Sequence, residues 1–267
     1  MSGPGPTPSP PGRLRFRTQV LAVWAGLLAV FVAFFAKFDL DLGIVRDKLP
    51  SLLGLHLSVD GALQGVPLTL LVSVAAMGFA LVLGLLAALG KISGNPVAYG
   101  VATFYNSFFR GTPLLLQVLL IYLGLPQLGP VPAAIPSGIA ALALCYGAYL
   151  SEIFRAAIVS QGEGQWQAGQ ALGMTRRGVL AHVILPQALR DAIPPVFAMF
   201  ISMLKDSSLV SVMGLWEIMF LAQSYGRSSY RYVEMLLTAA ALYWLLSIVL
   251  EMGQAVLERH LGAWRKR

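Results

Sequence analysis

The stretch GQWQAGQALGMTRRGVLAHVILPQALR, residues 164–190, decides how this chain is read. It is rich in small residues, glutamine and basic side chains, and it lies between runs apolar enough to require lipid. Residues 165–172 contain good helix formers, and Gly173 stands where a C-cap glycine would. Thr175 can N-cap a second helix, which Pro186 is expected to stop. Two short helices joined by a tight turn are therefore expected. Ala168, Ala171 and Leu172 supply a small apolar face, and Trp166 suits a headgroup interface.

The surroundings of this segment set the class of the protein. Of 267 residues, 57% are hydrophobic and only 12% are charged, whereas soluble domains carry about a quarter. The net charge of +7 is compatible with nucleic acid, but in a membrane protein Lys and Arg accumulate in cytoplasmic loops and fix orientation. The single cysteine, Cys145, lies in an apolar run, cannot form an internal disulfide and reads as a small hydrophobe.

Charges mark out the membrane crossings. A spanning helix needs about 20 mostly apolar residues. Residues 18–36 give one span and 61–90 a second. The charge-free run 111–151 is long enough for two, with PQLGPVPAAIP (126–136) as the turn between them. Residues 190–217 hold a fifth candidate, and 235–250 a last span bounded by Glu234 and Glu251. Six crossings place both ends on one side. The termini, with 91–110 and 155–190, then hold 13 of the 19 Lys and Arg, so the positive-inside rule puts them in the cytoplasm. The first apolar run is longer than a signal-peptide core and no small-x-small site follows it, so an uncleaved helix is expected. Residues 1–12, MSGPGPTPSPPG, cannot bury a core.

Three readings fit the polar loop: an amphipathic connector on the membrane, a DNA-binding helix-turn-helix using Arg176, Arg177 and Arg190, or a docking element for a partner. Tethering of both flanks in lipid argues against DNA. Here the sequence resembles the permease subunits of ATP-binding-cassette importers, in the branch for polar amino acids. Their loop has Glu-Ala-Ala, three residues, Gly, nine residues, Ile, one residue and Leu-Pro. This chain keeps the spacing with Gln167, Ala168, Gly169, then Gly173, Val183, Leu185 and Pro186. It departs at Gln167, Gly169 and Val183. FFRGTPLLLQ (108–117), AYLSEIFRAA (148–157), GQWQA (164–168), LPQALR (185–190) and LKDSSLVS (204–211) are similar to signature stretches of that branch, in the same order.

The resemblance implies an all-α integral membrane protein of the type I importer fold. It implies a transmembrane domain over residues 63–257 with a coupling loop at 160–190. An additional helix at 18–38, a disordered tail at 1–17 and a basic tail at 258–267 flank it, both tails being cytoplasmic. Gly164, Gln167, Ala168, Gly169, Ala171, Leu172, Gly173, Leu185 and Pro186 would form the loop that docks on a separate ATPase dimer. Other implied partners are an extracytoplasmic amino-acid-binding protein, a second permease copy or paralogue, and the lipid of a prokaryotic cytoplasmic membrane, with no nucleic acid. At Gln167 a hydrogen bond replaces the family's charged contact.

The chain is not expected to bind ATP. The nearest match to a Walker A pattern, residues 84–92, has its first glycine one position early and Ile92 where a hydroxyl is needed. Ala80, Gly84 and Ala88 instead make a small-residue stripe for close helix packing. No nucleophile–base set is visible, and His56, His182 and His260 lack metal-ligand spacing, so no cofactor or metal is expected.

Lys205 and Asp206 are the costliest residues, at roughly 2.5–3.5 kcal/mol each for a charge at a helix centre. With a span starting near Ile193, Lys205 lies about 18 Å along it. Either the helix ends there with both charges at the outer interface, or a break near Ser207 lets Lys205, Asp206, Ser207 and Ser208 line a substrate path. Glu152 and Arg155 are expected to pair at three-residue spacing. Pro67, Pro113, Pro194 and Pro195 are expected at span starts. The rival function is a self-contained secondary transporter driven by an ion gradient, which gives no reason for the polar loop.

Overall fold

The structure, a computed structural model, describes residues 13–35, 37–38, 40–56 and 63–264. Its described residues form eleven α-helices with π and 3₁₀ turns between some of them. Helix α1 (Arg13–Phe35) starts five residues before the expected Thr18, because Arg-Leu-Arg-Phe-Arg are helix formers and the Pro/Gly run ends at Gly12. Residues 1–12 of the expected tail lie outside the described residues. Within the apolar window 18–35 no residue is buried against the chain.

The second unit, from Gly43 onward, is built on α3 (Gly65–Ile92) and α6 (Ala134–Val159). Their contact depends on small side chains: Ala80, Gly84 and Ala88 are all buried on α3. A Cβ at Gly84 would come within 2.7 Å of Leu150 Cβ and 3.0 Å of the Gly147 carbonyl. The main core grows from this seam and includes Leu68, Val72, Leu142, Tyr146, Leu150 and Met203. Cys145 is buried in it, its thiol 3.7 Å from the Phe109 carbonyl oxygen.

The third crossing differs from the expected span starting at Gly111. Asn95 caps α4 (Pro96–Gly111), its side chain accepting from the Val97 and Ala98 amides, and Pro96 opens the helix. After Pro113 comes α5 (Leu114–Leu119), prolonged by a π turn (Leu120–Gly124) and a 3₁₀ turn (Leu125–Leu128). The two halves meet at 105°. Gln117 secures the bend, donating to the Phe109 carbonyl at 2.9 Å and the Thr112 hydroxyl at 2.9 Å. The described residues thus contain five helices long and apolar enough to cross a membrane, or six with the bent pair as one.

The fifth span also begins earlier than expected. Helix α8 (Arg176–Val179), a π turn (Leu180–Ile184), α9 (Leu185–Asp206) and a 3₁₀ turn (Ser207–Met213) run on without interruption. Pro186 opens α9 instead of ending a helix, and the Gln187 side chain donates to the Val183 carbonyl at 2.8 Å. The wider π turn makes room for the proline ring and for the carbonyl that its missing N–H leaves unbonded. Pro194 and Pro195 lie inside α9 and not at its start.

Helix α2 (Leu42–Leu52) and helix α10 (Ile218–Ser229) were not foreseen. They join a second core of Leu52, Ile218, Leu221 and Met235. Glu217 caps α10: its carboxylate accepts from the Met219 and Phe220 amides and from the Tyr243 hydroxyl. Burial raises this carboxyl to about 7, against three hydrogen bonds that favour its ionised form. Helix α11 (Tyr232–Trp264) passes through Glu234 and Glu251, the expected bounds of the last span, and continues seven residues into the expected tail. Arg231 and Glu234 pair at 3.3 Å near its start. Residues 265–267 lie outside the described residues.

Candidate functional site

Three polar features stand out against the apolar bundle. The first is the loop between α6 and α9. Helix α7 (Glu163–Ala171) and α8 are joined through Gly173 at φ +79°, a left-handed position that suits glycine. The Gly173 amide donates to the Gln170 carbonyl at 2.9 Å and the Met174 amide to the Gly169 carbonyl at 3.1 Å. This is the Schellman pattern, which satisfies the last carbonyls of α7. Thr175 caps α8, accepting from the Gly178 amide at 3.2 Å.

The inner side of the loop is closely packed. Gly169 is buried against Val179, and a Cβ there would lie 2.6 Å from Val179 Cγ2. Glycine at 169, a departure from the family's alanine, is therefore matched to Val179. Ile158, Val179, Ile184 and Ala188 form a core here with Leu89, Trp166 and the half-buried Leu185, which anchors the loop to the ends of α3 and α6. Trp166 carries the Arg176 guanidinium 5.7 Å from its ring centroid, so it holds the two loop helices together. The outer side is the reverse. Gly164, Gln167, Ala168, Ala171, Gly173 and Pro186 are exposed, and Leu172 is 83% exposed.

The second feature is at the far end of α9. Lys205 and Asp206 are exposed, Ser208 is half-buried and Ser207 is buried. The helix does not break at Ser207; it narrows to 3₁₀ and stops at Gly214. The Ser207 hydroxyl turns back to donate to the Leu204 carbonyl at 2.7 Å. Tyr146 donates its hydroxyl to Asp206 Oδ2 at 2.7 Å. Tyr146 lies midway along α6, so Asp206 sits at the mid-height of that helix. From Leu185 to Lys205 the helix rises about 30 Å, not the 18 Å that a start at Ile193 gave.

The third feature gathers around Glu152. Arg155 Nε donates to Glu152 Oε2 at 2.9 Å, the pair expected from spacing. Lys91, at the end of α3, bonds Oε1 directly. Arg110, at the end of α4, approaches Oε1 to 3.6 Å. Asn106 donates to the Ser151 hydroxyl at 2.5 Å and to Glu152 Oε1 at 3.1 Å. The Arg110 guanidinium lies 5.4 Å from the centroid of the Tyr149 ring. Beside them opens a cavity of about 470 Å³ lined by Lys91, Thr103, Asn106, Ser107, Arg110 and Tyr149. The charge pattern places residues 91–110 in a cytoplasmic segment, whereas most of them form α4. The spacing of Thr103, Asn106, Ser107 and Arg110 on one helical face, after the Asn-Pro start signal, was the clue to this site. Among the described residues no group of three or more His, Cys, Asp or Glu is placed to share a metal ion.

The family model described as "Binding-protein-dependent transport system inner membrane component" matches residues 80–263. The probable amino-acid permease protein YxeN of Bacillus subtilis (strain 168) is 41% identical over 200 residues, 74% of this chain and 89% of that protein. The L-cystine transport system permease protein TcyB of the same organism is 39% identical over 205 residues, 76% of this chain and 86% of that protein. A solved structure of an amino acid ABC transporter with histidines matches at TM-score 0.74 and 34% identity, covering 84% of this chain and 100% of the other. A chain of the MetNI methionine ABC transporter in an inward-facing conformation matches at TM-score 0.64 and 19% identity, over 74% of this chain and 94% of the other, a likeness of fold alone.

Proposed function

Since the chain belongs to the family of binding-protein-dependent transport system inner membrane components, we propose that it is the membrane-spanning permease subunit of an ATP-driven importer for a polar amino acid. The observation that carries this is the unbroken helical path from the polar loop to the Lys205–Asp206 pair. From Arg176 to Lys205 it measures about 44 Å at 1.5 Å per residue. Movement imposed on the loop therefore reaches the middle of the bundle along one element. The π turn at Leu180–Ile184 and the prolines at 186, 194 and 195 are the points at which that element can flex.

The outer face of the loop, with Gln167, Ala168, Ala171 and Leu172 exposed, docks in a groove on an ATPase dimer. Its small side chains allow close approach, and Gln167 contributes a hydrogen bond. The loop, both termini and the basic segments face the cytoplasm, and the membrane is the cytoplasmic membrane of a prokaryote. An extracytoplasmic binding protein delivers the amino acid to the opposite side. A second copy or a paralogue completes the path. Lys205, Asp206 and Ser208 line that path, with Ser207 closing the helix end behind them. A carboxylate and an ammonium next to one another suit a zwitterion, whose own two charges they offset.

Uptake by the complete complex in proteoliposomes tests this reading. Transport of an amino acid should require ATP inside and the binding protein outside. Uptake by the permease alone, driven by a sodium or proton gradient, would support the secondary transporter instead.

A further inference from the structure

Around Glu152 the cations outnumber the carboxylates. Lys91, Arg110 and Arg155 surround a single carboxylate, which leaves two positive charges in excess. Lys91 and Arg155 each bond Glu152 directly. Arg110 approaches only to 3.6 Å through one nitrogen, and its side chain remains 43% exposed. The ring of Tyr149 fixes the guanidinium without consuming its in-plane donors. Ser107 and Thr103, on the same face of α4, line the cavity that Arg110 enters, the Thr103 hydroxyl donating to the Tyr99 carbonyl of its own helix. A planar fork with donors to spare, set in a positively charged cavity, matches a carboxylate in geometry and in charge.

We propose that this cavity is a second binding station of the transport path, holding the α-carboxylate of the amino acid on Arg110. The proposal rests on the amino-acid permease reading given above. Its place follows from α6. The Tyr146 hydroxyl bonds Asp206, the rings of Tyr146 and Tyr149 lie 6.1 Å apart, and Tyr149 meets Arg110. Tyr146 and Glu152 are six residues apart, about 9 Å along the helix toward the polar loop. A zwitterion that leaves Lys205 and Asp206 in that direction reaches Arg110 next. The excess positive charge favours neutral and acidic side chains over cationic ones.

The test uses the permease–ATPase complex in phosphatidylcholine nanodiscs, without the binding protein. Binding of radiolabelled L-glutamate, L-glutamine and L-arginine is measured, with competition by the α-carboxamide of each ligand. In the wild type the carboxamide should compete at least tenfold less well than the free acid, as expected for loss of charged hydrogen bonds worth roughly 1.5–3 kcal/mol. With the Lys205–Asp206 station silenced by Lys205→Met in every protein compared, Arg110→Gln should remove that discrimination and Arg110→Lys should restore part of it. Glu152 keeps Lys91 and Arg155 in both variants, so assembly is preserved. Unchanged discrimination in Arg110→Gln would overturn the proposal. So would loss of amino-acid binding when phosphatidylglycerol is added, if Arg110→Gln prevents that loss, because the cavity would then hold a lipid phosphate. Uptake in proteoliposomes separates the two levels. If the wild type, with ATP and its binding protein, takes up no proteinogenic amino acid and no cystine, the permease reading fails and this station with it. Uptake by the wild type with unaltered discrimination in Arg110→Gln rejects the station alone.

Discussion

Glu152 is enclosed by three cations and an amide, whereas the outer face of the 163–173 loop is exposed along its length. Both regions are polar and both interrupt an apolar chain, yet they treat their polar groups in opposite ways. Around Glu152 the chain supplies nearly every partner from three different helices. At the loop it satisfies its backbone internally and leaves its side chains facing outward. A change at the first should be felt in folding, and a change at the second only in coupling.

The largest effect is expected from Glu152→Gln. It leaves Lys91, Arg110 and Arg155 without a counter-charge, and breaking a buried pair costs about 3–5 kcal/mol. Partial exposure of the Glu152 side chain reduces this to about 2–3 kcal/mol. Thermal unfolding of the purified complex should show a clear fall in Tm. A Tm equal to the wild type would mean that the cluster contributes little to the fold.

The inner side of the loop should respond less strongly. Gly169→Ala forces a methyl against Val179 and is expected to cost about 1–2 kcal/mol by overpacking. Val179→Ala opens the space again, so the double variant should be more stable than the sum of the singles by about 1 kcal/mol. Strict additivity in the same unfolding assay would show that these two residues do not set the loop's packing.

The Lys205–Asp206 pair lies between the two extremes, since Asp206 has an internal partner in Tyr146 yet remains exposed. Asp206→Asn keeps an acceptor for Tyr146, so its stability cost should stay below about 1 kcal/mol, while uptake in proteoliposomes should be lost. Lys205→Met should behave likewise. If the two residues serve only each other, the double neutral variant regains transport. If they meet the substrate, it stays defective.

The contrast also explains what the sequence disclosed. The loop was legible because its signals are local: Gly173 at a helix end, Thr175 as a cap and a fixed spacing to Leu185 and Pro186. The Glu152–Arg155 pair was legible for the same reason, being one turn apart. Lys91 and Arg110 were misread because charge served as the ruler for the spans. That ruler assumes that a charged side chain ends a crossing, and it fails when the charge lies within a helix, exposed as at Arg190 or beside a neighbouring helix's carboxylate as at Arg110. Arg110 therefore displaced the third span from its start at Pro96, and Arg190 and Asp191 did the same for α9. The prolines of α9 misled for a related reason, since a π turn and a glutamine side chain take over hydrogen bonding near Pro186. Helix α2 and helix α10 are too short to leave a hydropathy signal, and tertiary packing around Leu52 and Ile218 holds them.

Substrate-stimulated ATP hydrolysis by the reconstituted complex carrying Leu172→Asp tests the central claim, that the outer face of the loop links this chain to its ATPase, most directly. Leu172 is 83% exposed, so the variant should match the wild type in Tm and in membrane insertion. A charge placed in an apolar docking groove should cost several kcal/mol there, and stimulation by the loaded binding protein should disappear. Normal stimulation in this variant would contradict the account.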